Sequence, residues 1–94
     1  MLTLENFPEL KTALRIDGSE DDSVLTLLLN AAKGYLEGAG VPEAKITEET
    51  LDLYKQALII YLEMDYEYDE KKIPRLERAF NRILLQLKAG VYYE

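Results

Sequence analysis

Four stretches of the chain carry apolar residues at the three- and four-residue spacings of amphipathic helices. The predicted helices span approximately residues 4–14, 20–37, 48–66 and 74–88. Glycines, prolines and short polar runs separate them, and none of these connections is long enough to divide the chain. The pattern predicts an all-α fold, a small bundle of about four helices in one domain covering residues 1–94.

Local signals indicate where these helices begin and end. Thr3, Ser19 and Thr47 are candidate N-caps, and acidic residues follow the last two in the first helical turn. Glycines mark the expected ends: Gly38 or Gly40 after the second helix and Gly90 after the fourth, which leaves residues 91–94 as a short tail.

The third predicted helix is expected to be the central, buried one. Its middle, residues 57–62, is apolar on nearly every face, which is typical of a helix surrounded by others. The remaining helices are expected to bury one broad face each. On the first helix that face includes Leu10, Ala13 and Leu14, and on the second it is widened by Leu27 and Ala31.

The composition excludes most common kinds of catalytic site. The chain has neither cysteine nor histidine, so it lacks a thiol nucleophile, a disulfide, an imidazole base and the commonest metal ligands. The acidic turn at residues 17–21 lacks the glycine and glutamate spacing of a calcium loop and is interpreted as a helix start. We therefore expect no enzyme, no metal and no cofactor.

Charge is distributed unevenly along the chain. Residues 1–70 hold 5 basic and 16 acidic side chains, whereas residues 71–94 hold 6 basic and 2 acidic ones. The overall charge of −7 argues against non-specific nucleic-acid binding, which requires lysine and arginine at phosphates. Such a polarised chain offers complementary surfaces to another copy of itself.

A basic stripe is predicted on the last helix. Arg75, Arg78 and Arg82 follow one another at spacings of three and four, so they share the face opposite the predicted core. An ordinary solvated helix face is one interpretation. A more specific interpretation is that the stripe docks against an acidic surface of a neighbouring subunit. Arginine can bind a carboxylate there with two hydrogen bonds.

An acidic and aromatic segment follows the third helix. A solvated or interface-facing patch is the favoured interpretation, because paired carboxylates for glycoside hydrolysis would need a cleft that holds a sugar. Tyrosine is also enriched at protein interfaces. The candidate interface residues of this segment and of the tail are Asp65, Tyr66, Glu67, Tyr68, Asp69, Tyr92 and Tyr93.

One family resemblance covers nearly the whole chain. The run Leu14-Arg15-Ile16-Asp17, the acidic turn after it and the long helix containing Ala31-Ala32 and Tyr35-Leu36 resemble tailed-phage head–tail connector proteins. These are also called DNA-packaging or head-completion proteins. The later apolar helix around residues 56–62 and the Leu-rich closing helix are similar to the family as well.

The resemblance implies an assembly role without catalytic residues. By analogy with the portal it implies a ring of about twelve copies, closed by head-to-tail contacts, with the portal and tail-completion proteins as partners. DNA would pass through without sequence-specific binding. The expected location is the host bacterial cytoplasm during assembly and then the virion neck.

Two further expectations come from the residues themselves. No apolar run approaches the roughly 20 residues that span a bilayer, so no membrane association is expected. A second functional hypothesis also stays open, since acidic patches with tyrosines can mimic nucleic acid. Under it, the chain is a small acidic regulator that binds a host protein.

Overall fold

A computed structural model describes residues 1–66 and 69–92 of the chain and confirms the all-α fold. No strand occurs in these two ranges. Two short 3-10 helices, Glu43–Lys45 and Glu70–Lys72, lie in the connections before the third and fourth helices. The four α-helices are α1 (Pro8–Leu14), α2 (Asp22–Gly38), α3 (Glu48–Tyr66) and α4 (Ile73–Tyr92).

Helix α3 is the centre of the bundle, as its apolar middle predicts. It packs against α1, α2 and α4, most extensively against α4. Tyr54, Ala57, Leu58 and Leu62 are completely buried in this packing. Because α2 and α4 both rest on α3, each of them has an outward face that points away from it.

The first helix begins later than predicted. Thr3 is not its N-cap: the backbone N–H of Thr3 donates a hydrogen bond to Asn6 Oδ1 (2.7 Å), and α1 starts only at Pro8. Proline has no N–H to satisfy and is suited to a first helical turn. Phe7, directly before it, is fully buried in the core. The preceding residues 1–7 therefore form an irregular strap that packs on the bundle instead of extending the helix.

The second helix also begins later than predicted. Ser19 is not its N-cap, since α2 starts at Asp22 and Asp21 occupies the cap position without a side-chain hydrogen bond. The turn is held by Lys11 from α1 instead. Its Nζ forms an ion pair with Asp22 and donates a hydrogen bond to the Gly18 carbonyl (2.8 Å). Contacts from the preceding helix thus hold the turn at the start of α2.

The predicted end of the second helix and the predicted start of the third are confirmed. Gly38 is the last residue of α2, and Gly40 follows with a φ of 101°, in the left-handed region that favours glycine. Thr47 directly precedes α3. Its backbone N–H donates a hydrogen bond to Thr50 Oγ1 (2.9 Å), which satisfies one of the donors left free at a helix start.

The predicted end of the fourth helix at Gly90 is wrong. Helix α4 continues to Tyr92, and Val91, which was expected in a tail, is buried. The glycine at position 90 has a different role. A Cβ atom there would lie 2.9 Å from Thr50 Cγ2, so the end of α4 passes unusually close to the start of α3. Gly90 is a packing residue rather than a helix stop.

Replacing Gly90 with alanine should therefore lower the free energy of unfolding by about 1 kcal/mol, since overpacking outweighs the gain in helix propensity. Urea unfolding followed by circular dichroism measures this. The matched control is Gly34→Ala in α2, where an added Cβ meets nothing and about 0.5–1 kcal/mol should be gained. Adding Thr50→Ser to Gly90→Ala removes the clashing methyl group and should restore stability. A more stable Gly90→Ala protein would contradict this interpretation.

Two helices bury a narrower face than predicted. Ala13, Leu27 and Ala31 were expected to join the core, but all three are exposed. Helix α2 contacts the bundle through the line that contains Leu25 and Leu29, which are buried. A helix that packs on the bundle through one side needs only such a stripe. The apolar residues outside it remain on the surface.

A buried lysine fixes the N-terminal strap to α2. Lys33 Nζ donates a hydrogen bond to the Leu2 carbonyl and forms an ion pair with Glu43 (3.1 Å to Oε2). The Leu2 backbone N–H in turn donates to the same Glu43 oxygen (2.9 Å). Each charged group is thereby both paired and hydrogen-bonded, which is the condition for burying it.

Candidate interaction surfaces

The basic stripe lies where the sequence places it. Helix α4 buries Phe80, Ile83 and Leu87 against the bundle. All three stripe arginines are exposed on the outward face. Within residues 1–66 and 69–92, none of them has an ion-pair partner. The basic stripe consists of Arg75, Arg78 and Arg82.

The ion pairs found in the described ranges belong to the first part of the chain. Each joins a lysine to a carboxylate, and each connects different elements of the fold. The positive charge of α4 is therefore not used to hold the monomer together in the described ranges. The pairs are Lys11–Asp22, Lys33–Glu43 and Lys55–Glu9.

The acidic and aromatic segment is described only in part. Asp65 is exposed near the end of α3. Asp69 is exposed in the turn to α4, where its Oδ1 accepts a hydrogen bond from the Lys71 backbone N–H (3.0 Å). The two aspartates thus lie at the same end of the bundle. The other candidates fall outside the description: Glu67, Tyr68 and Tyr93 entirely, and Tyr66 and Tyr92 for their side chains.

Three aromatic rings meet where α2, α3 and α4 converge. The Tyr35 and Tyr61 ring centroids are 4.9 Å apart, and Phe80 lies 5.9 Å from Tyr35 and 5.7 Å from Tyr61. Burial raises the pKa of Tyr61, and the nearby Asp65 carboxylate raises it further. Tyr35 is still 50% exposed. The cluster joins three helices through tertiary contacts, which helical periodicity does not reveal.

A cavity of about 350 Å³ lies between the N-terminal strap and α3. Met1, Asn6 and Lys55 line it together with Tyr54. The Tyr54 hydroxyl is buried and has no hydrogen-bond partner in the part of the chain that the structure describes. Burial raises the pKa of Tyr54, and the charge of Glu43 adds to the shift. The hydroxyl stays protonated at any ordinary pH, so it offers no acid–base chemistry.

A Tyr54→Phe protein should be at least as stable as the wild type, with a gain of up to about 1 kcal/mol. The substitution removes an unpaired buried hydroxyl and keeps the ring. Urea unfolding measures the difference, with Tyr61→Phe as the control for losing a partly exposed hydroxyl. A loss above about 1 kcal/mol would mean that an ordered water pairs with the hydroxyl.

Two further properties concern the described ranges only. In them, no three acidic side chains come close enough together to hold a metal ion. None of the helices found there has the length and apolar character needed to cross a membrane.

Comparison with known protein families gives a match over most of the chain. The sequence model of a family described as phage connector protein matches residues 7–94, which include all four helices. No curated protein and no solved structure matches the chain significantly.

Proposed function

Because the chain belongs to the phage connector protein family, we propose that it forms a homo-oligomeric ring that joins the portal to the tail and completes the DNA-filled head. The family is one of phage structural proteins. The observation that carries the proposal is the match over residues 7–94, since it covers every helix of the bundle. By analogy with the portal, the ring has about twelve copies related by head-to-tail contacts.

The charge distribution supports head-to-tail contacts. Such a ring needs two different faces on each copy, because one patch always meets another. The arginines of the basic stripe are exposed and unpaired within the described ranges. Residues 1–70, by contrast, carry a net charge of −11 from 5 basic and 16 acidic side chains. An acidic surface on one copy can therefore receive the stripe of the next.

The proposed place of the ring between portal and tail also implies its other partners. The portal lies on one side of the ring and the tail-completion proteins on the other, in the virion neck, after assembly in the host bacterial cytoplasm. The ring surrounds DNA without reading its sequence. An excess of acidic side chains along part of the channel would repel phosphate and let DNA slide. A reconstruction of the ring with a neutral or basic lumen would contradict this last point.

Native mass spectrometry of the concentrated protein tests ring formation, alone and with the portal ring of its own phage. We expect a closed oligomer of about twelve chains in at least one of the two samples. High salt should dissociate it, since exposed charge pairs are screened. A chain that stays monomeric in both samples would contradict the proposal. Tight binding of that monomer to a DNA-handling enzyme would favour the nucleic-acid mimic.

A further inference from the structure

The first half of α3 has an exposed, acidic outward side. Glu48, Glu49 and Asp52 are exposed, and the exposed Gln56 continues the row by one more helical turn. Within residues 1–66 and 69–92, the three carboxylates have no ion-pair partner. Because residues three and four positions apart are neighbours on a helix, these side chains share one side of α3. We call Glu48, Glu49, Asp52 and Gln56 the α3 acidic face.

Helix α4 covers the opposite side of α3. Gly90 lies against Thr50, where an added Cβ would be 2.9 Å from Thr50 Cγ2, and the Phe80 ring is 5.7 Å from the Tyr61 ring. Thr50 and Tyr61 are eleven residues apart, about three helical turns, so they lie on the same side of α3. Asp52 follows Thr50 by two residues, which is about 200° around the helix. The α3 acidic face therefore points away from α4.

The basic stripe points in the reverse direction. On α4, Phe80, Ile83 and Leu87 are buried against the bundle, and the arginines are exposed on the other side. The α3 acidic face, α3, α4 and the basic stripe thus follow one another across the molecule. In a ring of about twelve copies, neighbours differ by a rotation of about 30°, so the two contact faces of each copy must point in nearly opposite directions. These two faces meet that requirement.

Other groups of carboxylates in the described ranges meet it less well. Those in the turn at residues 17–21 lie between α1 and α2, and neither of these helices packs extensively on α4. They also lie outside a regular helix, so nothing holds them at the spacing of the arginines. The carboxylates around the start of α4 lie beside the basic stripe of their own copy.

The orientation of the two helices in such a contact follows from the fold. The start of α3 lies beside the end of α4, so the two helices are antiparallel within one copy. A rotation of about 30° between neighbours changes this orientation little. Helix α4 of one copy therefore runs nearly antiparallel to α3 of the next.

In that orientation the two faces match in register. If Arg78 meets Asp52, then Arg82, four residues after the first, lies beside Glu49, three residues before the second. Around their helices, Arg82 is about 40° and Glu49 about 60° from the central pair in the same sense, so both fall on one side of the contact. Arg75, at the other end of the stripe, meets the side-chain amide of the α3 acidic face on that side too. Two arginines can thus bind carboxylates and the third an amide oxygen.

We propose that the basic stripe of each copy binds the α3 acidic face of the next copy in the ring, an inference that rests on the proposed function. The faces lie on opposite sides of the molecule, so one copy can use both at once. Lys55, the basic residue at the edge of the acidic face, is held toward α1 by its ion pair with Glu9 (3.2 Å). The contact is heterologous and repeats from copy to copy until the ring closes.

A charge swap tests this contact. Arg78→Glu and Asp52→Arg should each weaken assembly roughly tenfold, because each places like charges opposite one another. The double variant Arg78→Glu/Asp52→Arg should recover most of that loss, since the pair is restored with its charges exchanged. The matched control is Arg78→Glu/Glu20→Arg, which reverses an exposed carboxylate of the turn at residues 17–21 and should recover little. Native mass spectrometry over a concentration series, with the portal ring present, measures assembly.

Crosslinking provides an independent readout, because the chain contains no cysteine. Asp52→Cys and Arg78→Cys proteins are mixed with the portal ring and treated with a short bis-maleimide reagent. We expect a covalent dimer that contains one copy of each variant. Replacing Asp52→Cys with Glu20→Cys should give little product. All of these positions are exposed, so the variants should keep the thermal unfolding midpoint of the unchanged chain within a few degrees.

Three outcomes would overturn the proposed contact while leaving the ring proposal in place. One is a ring in which the charge swap recovers no more assembly than the control double variant. Another is a ring whose Asp52→Cys and Arg78→Cys chains crosslink no more than the control pair. The third is preferential crosslinking of Arg78→Cys to itself, which indicates a two-fold contact. A chain that never associates, even with the portal, overturns both proposals together.

Discussion

Replacing Leu58 with alanine should lower the free energy of unfolding by about 3 kcal/mol. Leu58 is fully buried in the centre of α3, and removing a buried leucine side chain costs its transfer free energy plus the cavity left behind. A chain of this size has a total stability of roughly 5–14 kcal/mol. The substitution should therefore remove a substantial share of the stability of the whole bundle.

Urea unfolding followed by circular dichroism measures this effect in the monomer. Leu85→Ala is the matched control, since it makes the same chemical change at a side chain that is 68% exposed. It should alter the free energy of unfolding by no more than about 0.5 kcal/mol. Equal losses in the two proteins would show that α3 is not the central helix of the core.

Reversing the charge of the basic stripe should abolish assembly without unfolding the chain. In Arg75→Glu/Arg78→Glu/Arg82→Glu, three exposed positions that lack ion-pair partners in the described ranges change sign. The monomer should keep its stability, because surface substitutions of this kind have small effects. Contacts between copies should weaken roughly a hundredfold or more, since repulsion replaces charge pairing at the interface.

The control for this variant has the same net charge. Lys45→Glu/Lys71→Glu/Lys72→Glu also reverses three exposed basic residues, but none of them belongs to the basic stripe. Native mass spectrometry should find rings for the control and monomers for the stripe variant. If both proteins lose the ring equally, general repulsion rather than the basic stripe is responsible.

The parts of the fold that depend on local signals could be predicted from the sequence. The predicted range of the third helix, 48–66, agrees with α3, because Thr47 and the acidic first turn mark its start and a long apolar pattern fills its body. The start of α1 depends instead on the burial of Phe7. The continuation of α4 past Gly90 buries Val91, and Gly90 itself lies close to Thr50. These are tertiary contacts that a local pattern does not contain.

The candidate interaction surfaces also include one that could be predicted from the sequence and one that could not. Exposure of the basic stripe was predictable, because α4 separates a strict apolar stripe from a charged one. Leu27 and Ala31 of α2 were expected in the core instead. Helix α2 is apolar on nearly all sides, so periodicity cannot distinguish the leucines that contact α3 from Leu27, which does not join the core. Only the packing of the bundle makes that distinction.

Electron cryomicroscopy of the protein bound to the portal of its own phage tests the central claim most directly. The account predicts a closed ring of density on the tail-facing side of the portal. In that ring, the basic stripe of each copy should lie against an acidic surface of the next copy, around a channel wide enough for DNA. A portal whose tail-facing side stays bare at saturating protein, or density for isolated single copies elsewhere on it, would contradict the account.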